Sequence, residues 1–492
     1  MKILMKSKKH TKIILAGTSI LIVFLYVFTA SRQTGMGFPL DDAWIHQTYA
    51  RNLVHYGNWV YVPGNVSAGS TAPLWTLLLS IGYLFSDFAF GWTIVLGAFF
   101  LFLTSYTFEN AIRKSFLMTA ALPFAGLFLL FEWHMGWAAA SGMETILAAF
   151  LVMFILSNFV LETRRSFWAG ILCGLAVWVR PDLISLLGPL IFTIWLRPQS
   201  LTIKIKNTYL LILGSLVFIV PYLGLNYSLS GNILPNTFFA KQTEYKILLD
   251  SPVFERIIDV FRLPLIGPGI LLLPGFLYLS VQSVKTKNWP MISLFLWLIG
   301  FLAIYALRLP VVYQHGRYIM PAMPVYFFLG LLGSLQFVQQ SMISQKYKRV
   351  LKFFSISVFS LTTLSFMVIG INAFAEDVAI INTEMVQSAQ WIAKNTDKGS
   401  VIAAHDIGAL GFFADRKIVD LAGLISPEVI PFIRDEVKLA DYLDQNNVDY
   451  VVVFPGWYHS LLTDKILVYT TDSLFSPQVG GENMAIYLWK TR

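Results

Sequence analysis

Long apolar runs dominate this chain, and their length decides what they are. The segment 88–108 (FAFGWTIVLGAFFLFLTSYTF) passes about 20 residues without a charge, enough for an α-helix to cross the roughly 30 Å of hydrocarbon in a bilayer. Alternating apolar segments of about ten residues, the mark of a membrane β-barrel, are absent. The pattern predicts eleven spans, at 13–30, 88–108, 116–131, 143–161, 167–179, 183–196, 208–226, 263–282, 289–307, 321–338 and 353–375. The first follows a basic head (MKILMKSKKHTK) and has no small-residue cleavage site before Ser31 and Arg32, so it reads as an uncleaved span.

Two places depart from this pattern. The apolar stretch 72–86 is short, and counting it as a span inverts every later loop. It is expected to lie on or partway into the outer surface, as a helix opened by a Ser70-Thr71 cap with Pro73 in its first turn. The short spans 167–179 and 183–196 are separated by Arg180-Pro181-Asp182, a charged break that needs burial in protein or a cavity to line.

After Ala375 the pattern changes to that of a water-soluble domain, 376–492. A helix (383–396) is followed by a strand (VIAAHD), a Gly-rich turn (IGALGFF), a strand (KIVDLAGLI), a helix near 435–446 and a strand (DYVVVF). This alternation predicts a small α/β domain with a mainly parallel sheet. Gly408 and Gly411 do not form a dinucleotide fingerprint, since the third glycine and the spaced acidic residue are missing. The expected class is therefore an α-helical polytopic membrane protein, 1–375, carrying a C-terminal extracytoplasmic α/β domain.

Composition agrees: 56% of residues are apolar and 13% charged, against about 25% charged in soluble domains. The formal charge of +8 matters less than where the cations lie, and it is no argument for nucleic acid. With the N-terminus cytoplasmic, the inside segments carry 18 Lys and Arg in 55 residues, and the outside loops carry 9 in about 120. This asymmetry predicts a cell-membrane protein whose C-terminal domain is extracytoplasmic. The lone Cys173 excludes a disulfide framework, and the histidines show no metal-ligand spacing. No cofactor or metal site is expected, although carboxylates plus water leave a divalent cation open.

The outer loop 31–87 carries the candidate chemistry. Asp41 and Asp42 open a helical pattern that runs to about Tyr56. One Asp there suits helix capping, but two suggest that one carboxylate takes a proton from an incoming hydroxyl while the other orients it. Arg51, on the same pattern, either holds that pair or is a solvated cation. Glu144 stands at the outer end of a span, facing a polar cavity or decorating a helix N-terminus. Lys241 and Arg317 lie in two further outside segments, where cations serve a phosphate or simply meet lipid headgroups. Carboxylates and cations on one membrane face suit chemistry with a phosphate leaving group.

The run DDAWIHQTYARNLVHYGNWVYVPGNVSAGSTAPLWTLLL resembles the first outer loop of bacterial polyprenyl-phosphate-sugar-dependent glycosyltransferases of the GT-C superfamily, in its arabinofuranosyltransferase-like and mannosyltransferase-like branch. SGMETIL, LAVWVRPDL, LPNTFFAK, HGRYIMPAMP and HDIGALGFFADRKIVDLAGLISPEV extend the resemblance along nearly the whole chain. The family often has Gly before the DIGALG-like run, where this chain has Ala404-His405.

The resemblance implies an active site under the first outer loop. It also implies inverting transfer of a sugar from a polyprenyl-phosphate donor to a glycan, lipid or protein acceptor. Asp41 is then the base, with Asp42 beside it; Glu144 and Arg51 orient the substrates, and Arg317, Tyr318 and Lys241 bind the donor phosphate. The surface segment 72–86 resembles a juxtamembrane helix of the superfamily.

Two other classes compete. A transporter or flippase for a lipid-linked glycan requires charges near the midplane and paired broken helices, and the sequence has neither. A membrane-anchored receptor has no need of eleven spans. Within the enzyme class, transfer of a whole lipid-linked oligosaccharide is the alternative.

Overall fold

The computed structural model describes residues 2–116, 122–161, 165–340 and 345–490. Parts of the predicted span 116–131 and of the segments 162–166 and 339–352 lie outside these residues.

Among the described residues, six helices are long and apolar enough to cross a membrane: Lys9–Thr34, Phe90–Phe116, Leu201–Ser230, Trp289–Arg308, Gln314–Gln340 and Phe353–Asn395. A seventh candidate is the pair Val253–Leu265 and Gly269–Lys285, bent by 104°. Shorter apolar helices are Pro73–Tyr83, Thr145–Val160, Ser166–Val177 and Pro181–Leu196. The chain is thus a multi-pass membrane protein, with six or seven of the expected spans meeting the length criterion. Within the predicted span 116–131, the described helix is only Phe124–Phe131.

The predicted span 263–282 is not one straight helix, because Gly267 (φ 77°) turns the chain between the helical turn Leu263–Leu265 and the helix Gly269–Lys285. The helix that forms the last span continues past Ala375. Phe353–Asn395 is 43 residues, about 65 Å at 1.5 Å per residue and roughly twice the hydrocarbon thickness, so its C-terminal half leaves the bilayer and carries the tail.

The tail holds a five-stranded sheet of β3 (Val401–Ala404), β4 (Lys417–Asp420), β5 (Tyr450–Val453), β6 (Ile466–Thr470) and β7 (Ala485–Leu488), while β1 (Val60–Val62) and β2 (Asn65–Val66) pair in the outer loop. The tail order is β4-β3-β5-β7-β6. Only β4, β3 and β5 are mutually parallel; β7 runs antiparallel to β5 and β6, so the expectation of a mainly parallel sheet becomes a mixed one. The predicted Gly-rich turn is also corrected, because Gly408–Ala414 is helical and ends at Asp415 in a left-handed conformation. The run KIVDLAGLI is a strand only to Asp420, whose buried carboxylate accepts hydrogen bonds from the Ala422 and Ile425 amides, each 2.8 Å, and folds the chain into a loop.

The outer-loop helix spans Asp41–Tyr56, as the pattern predicts, and Gly57 (φ 67°) ends it. Most of its residues from Ala43 to Asn52 are buried, so it lies inside the fold rather than on it. The next helix starts at Pro73, but Ala72 is its cap and no side chain caps it. The Ser70 hydroxyl instead bonds the Thr76 hydroxyl at 2.9 Å. Arg180 at the charged break is buried and bonds Asp182, the Tyr305 hydroxyl and the Tyr318 carbonyl, as the burial argument requires.

Candidate active site

The helix Asp41–Tyr56, the segments 240–245 and 313–317, the C-terminal part of the helix Phe353–Asn395 and the tail enclose a cavity of about 820 Å³. Asp41, Asp42, Lys241 and Arg317 all line it, so four of the seven residues singled out in the sequence converge there.

Asp41 does not cap its own helix, whose first position follows Leu40 with no side-chain cap. Its two oxygens accept hydrogen bonds across the cavity from the tail amides of Gly408 (2.6 Å) and Ala409 (2.8 Å). It therefore caps the helical turn of another part of the chain. Burial and the neighbouring Asp406 push its carboxyl up to about 8, against the pull of those two amides. Asp42 pairs with Arg317 at 2.5 Å. Burial raises its carboxyl, but the Arg317 and Lys241 cations outweigh this and hold it well below the ordinary carboxylate range. Two adjacent carboxylates are thus tuned in opposite directions: Asp41 holds its proton at neutral pH and becomes a proton acceptor only as the pH approaches 8, whereas Asp42 is held ionised.

Arg317 is 5% exposed, and its Nε and Nη1 have no hydrogen-bond partner. Its Nη2 binds Asp42 and the Tyr318 hydroxyl, the latter at 3.1 Å. The chain reaches Arg317 through Gln314, His315 and Gly316, three consecutive residues with φ between 55° and 70°. Such backbone is strained for the two non-glycine residues and persists only where its surroundings fix it. Here His315 is fixed by a 2.8 Å bond to Asp377 and by edge contacts with Trp133 and Trp137. Lys241 lies 5.2 Å from the centre of the Tyr318 ring.

The other three residues lie elsewhere. Tyr318 is buried beneath the cations, with the Arg317 guanidinium 4.9 Å from its ring centre, and it does not line the cavity. Glu144 is 6% exposed, 3.6 Å from His46 and 3.9 Å from Arg180, in a buried network behind the cavity. Arg51 is half-buried and does not hold the acidic pair: it binds the Phe412 carbonyl at 2.7 Å and the Gly411 carbonyl at 3.2 Å, with its guanidinium 4.5 Å from the Phe412 ring centre.

The tail wall of the cavity was not anticipated from the sequence. His405 bonds the Tyr458 hydroxyl (2.7 Å) and Glu244 (3.1 Å). Burial works against its charge, but Glu244 and Asp406 raise it above the ordinary histidine value. The available signal was His405-Asp406 directly following a strand, because ligand-binding groups gather beyond the carboxyl ends of parallel strands. Among the described residues, no group of three or more His, Cys, Asp or Glu side chains is arranged to hold a metal ion.

Residues 376–487 match a family described as "Domain of unknown function (DUF8728)". No curated protein matches the chain. Among solved structures, ArnT from Cupriavidus metallidurans bound to undecaprenyl phosphate is similar over 97% of this chain and 98% of its own, with a TM-score of 0.62 and 15% identity. An oligosaccharyltransferase from Archaeoglobus fulgidus, in complex with Zn and sulfate, is similar over 92% of this chain and 69% of its own, with a TM-score of 0.57 and 14% identity. At these identities the likeness shows the fold alone: this chain has the GT-C membrane fold that the sequence led one to expect.

Proposed function

We propose that this protein is a membrane glycosyltransferase that takes a sugar from a polyprenyl-phosphate donor and joins it, with inversion, to an acceptor hydroxyl outside the cytoplasmic membrane. The observation that carries the reading is Arg317: a buried guanidinium with two unpaired nitrogens on the wall of a cavity that also holds two carboxylates. An anion satisfies those nitrogens, and a phosphate offers the oxygens to do so. The ArnT structure with the same fold holds undecaprenyl phosphate, which supports a lipid-linked donor here.

In this reading the acceptor oxygen forms a bond to the anomeric carbon as the bond from that carbon to the phosphate oxygen breaks. The electron pair leaves on polyprenyl phosphate, where Arg317 and Lys241 meet the growing charge. The acceptor proton passes to Asp41. Its oxygens already accept two amide bonds, yet a carboxylate has about four lone-pair sites, so room for a hydroxyl remains. Asp42 stays ionised and fixes Arg317. The positive-inside asymmetry supports a cytoplasmic N-terminus and a cavity facing outward, in cell-envelope glycan assembly or in protein or lipid glycosylation.

The test follows labelled sugar from polyprenyl-phosphate monosaccharides into envelope material with purified protein. Asp41→Asn keeps the shape and one acceptor oxygen, so folding is expected to survive while transfer falls about 10²-fold or more, the scale of general base catalysis. Near-normal transfer by Asp41→Asn removes Asp41 from this role.

A further inference from the structure

The tail wall of the cavity has a composition of its own. Its residues follow the carboxyl ends of all three parallel strands: His405, Asp406 and Ile407 after β3, Ala422 and Leu424 after β4, and Phe454 with Gly456–Tyr458 after β5. In open α/β sheets that edge is where ligands bind, because loops diverge there and leave unpaired groups facing outward. The cations of the outer segments, Lys241 and Arg317, do not come from this edge.

Two of its side chains lack the partners that a purely structural role supplies. Trp457 is 52% exposed, although it is a large apolar ring inside a cavity. It is held edge-to-face against His405 at 5.0 Å and an interplanar angle of 82°, and in a tilted contact with Phe454 at 5.3 Å. A rigid aromatic face left open beside polar groups suits a ligand that has both C–H faces and hydroxyls. Asp406 lines the same wall, and its Oδ2 is buried without a hydrogen-bond partner. The carboxylates around it are occupied: Glu244 by His405, Glu436 by the Leu461 amide at 2.6 Å, and Asp41 by Gly408 and Ala409. Asp406 is therefore the acidic group on this wall that still seeks a donor, and a sugar hydroxyl is one.

We propose that the strand-end edge of the tail is a carbohydrate subsite, in which a sugar ring lies on Trp457 and donates a hydroxyl hydrogen bond to Asp406, so that the acceptor of the transfer is a glycan. This rests on the transferase reading for the word acceptor, but the binding itself does not. A peptide serine or a lipid hydroxyl has no ring face to cover Trp457. A glycan does, and it reaches Asp41 within the same cavity.

The experiment is saturation-transfer NMR on the full chain in detergent, with a panel of methyl glycosides of hexoses, pentoses and N-acetylhexosamines. At least one glycoside is expected to receive saturation at its ring C–H protons. Trp457→Ala abolishes that signal, Trp457→Phe retains part of it, and Asp406→Asn weakens glycoside affinity about tenfold. The thermal shift produced by undecaprenyl phosphate is measured on the same variants and is expected to stay within twofold of wild-type affinity, which also shows that they are folded. No saturation on any glycoside, or an equal signal in Trp457→Ala, overturns the subsite. A glycoside signal without any response to undecaprenyl phosphate supports the subsite and counts against the transferase reading.

Discussion

At the residue scale, the environment of two neighbouring aspartates separates their roles. Asp42 sits beside Arg317 and stays ionised, whereas burial and Asp406 raise Asp41 to about 8. The charges facing Asp41 are Asp42 and Asp406, both acidic, and the two tail amides act against them. If Asp41 is the base, the transfer rate is expected to rise with pH as its carboxyl loses a proton, with a midpoint near 8. Removing the Asp406 charge removes a raising influence, so Asp406→Asn moves the midpoint to lower pH at saturating substrates. A pH–rate profile checks both, and a midpoint that stays fixed in Asp406→Asn contradicts this electrostatic coupling. The sequence placed the acidic pair at the start of a helix but not its surroundings. Nothing local to residues 41 and 42 reports a tail segment more than 360 positions away.

At the element scale, the outer-loop helix and the helical turn Gly408–Ala414 act as one clasp. Asp41 binds the start of the turn, Tyr61 donates to the Ile407 carbonyl at 2.5 Å, and Arg51 takes the Gly411 and Phe412 carbonyls near its end. A Cβ at Gly408 meets the Asp41 backbone oxygen, so the approach requires glycine there. Arg51→Ala removes two charge-assisted bonds and a cation–π contact, and is expected to loosen the clasp without unfolding the tail sheet. Hydrogen exchange is expected to speed up several-fold at residues 408–414 while β3 and β5 stay protected; unchanged exchange at 408–414 contradicts the clasp.

Elements with a strong period or definite punctuation were legible: the helix Asp41–Tyr56, Pro73 as a helix start, and the helix near 435–446. The turn Gly408–Ala414 was not, since two glycines argue locally against a helix that tertiary contacts from Asp41 and Arg51 stabilise. The antiparallel β6 (ILVYT) and β7 (AIYL) were missed although both are β-prone runs; β6 is largely exposed, and nothing local to either run reports that it joins the sheet.

At the scale of the whole molecule, the segments that charge counting assigned to the outside meet at one end of the protein. The loop 31–87, the segments around Lys241 and Arg317, and the tail all close on the same cavity. Orientation is tested by placing cysteines in a chain whose one native cysteine, Cys173, is fully buried. An impermeant thiol reagent on intact cells is expected to label Val437→Cys, which lies at a 72% exposed tail position, and to spare Thr286→Cys. The reverse pattern contradicts the orientation.

The central claim is that the cavity holds a lipid phosphate on Arg317. Its most direct test is the thermal stabilisation that undecaprenyl phosphate gives the purified protein, compared between wild type and Arg317→Ala across a range of lipid concentrations. Binding to the folded state alone stabilises it by RT ln(1 + L/Kd) at free lipid concentration L, so the dependence of the melting temperature on lipid concentration yields an affinity for each protein. A hydrogen bond to a charged group contributes roughly 1.5 to 3 kcal/mol, and Arg317→Ala is expected to weaken binding by about 10- to 150-fold. Absence of any stabilisation in the wild type, or equal stabilisation in Arg317→Ala, contradicts the account.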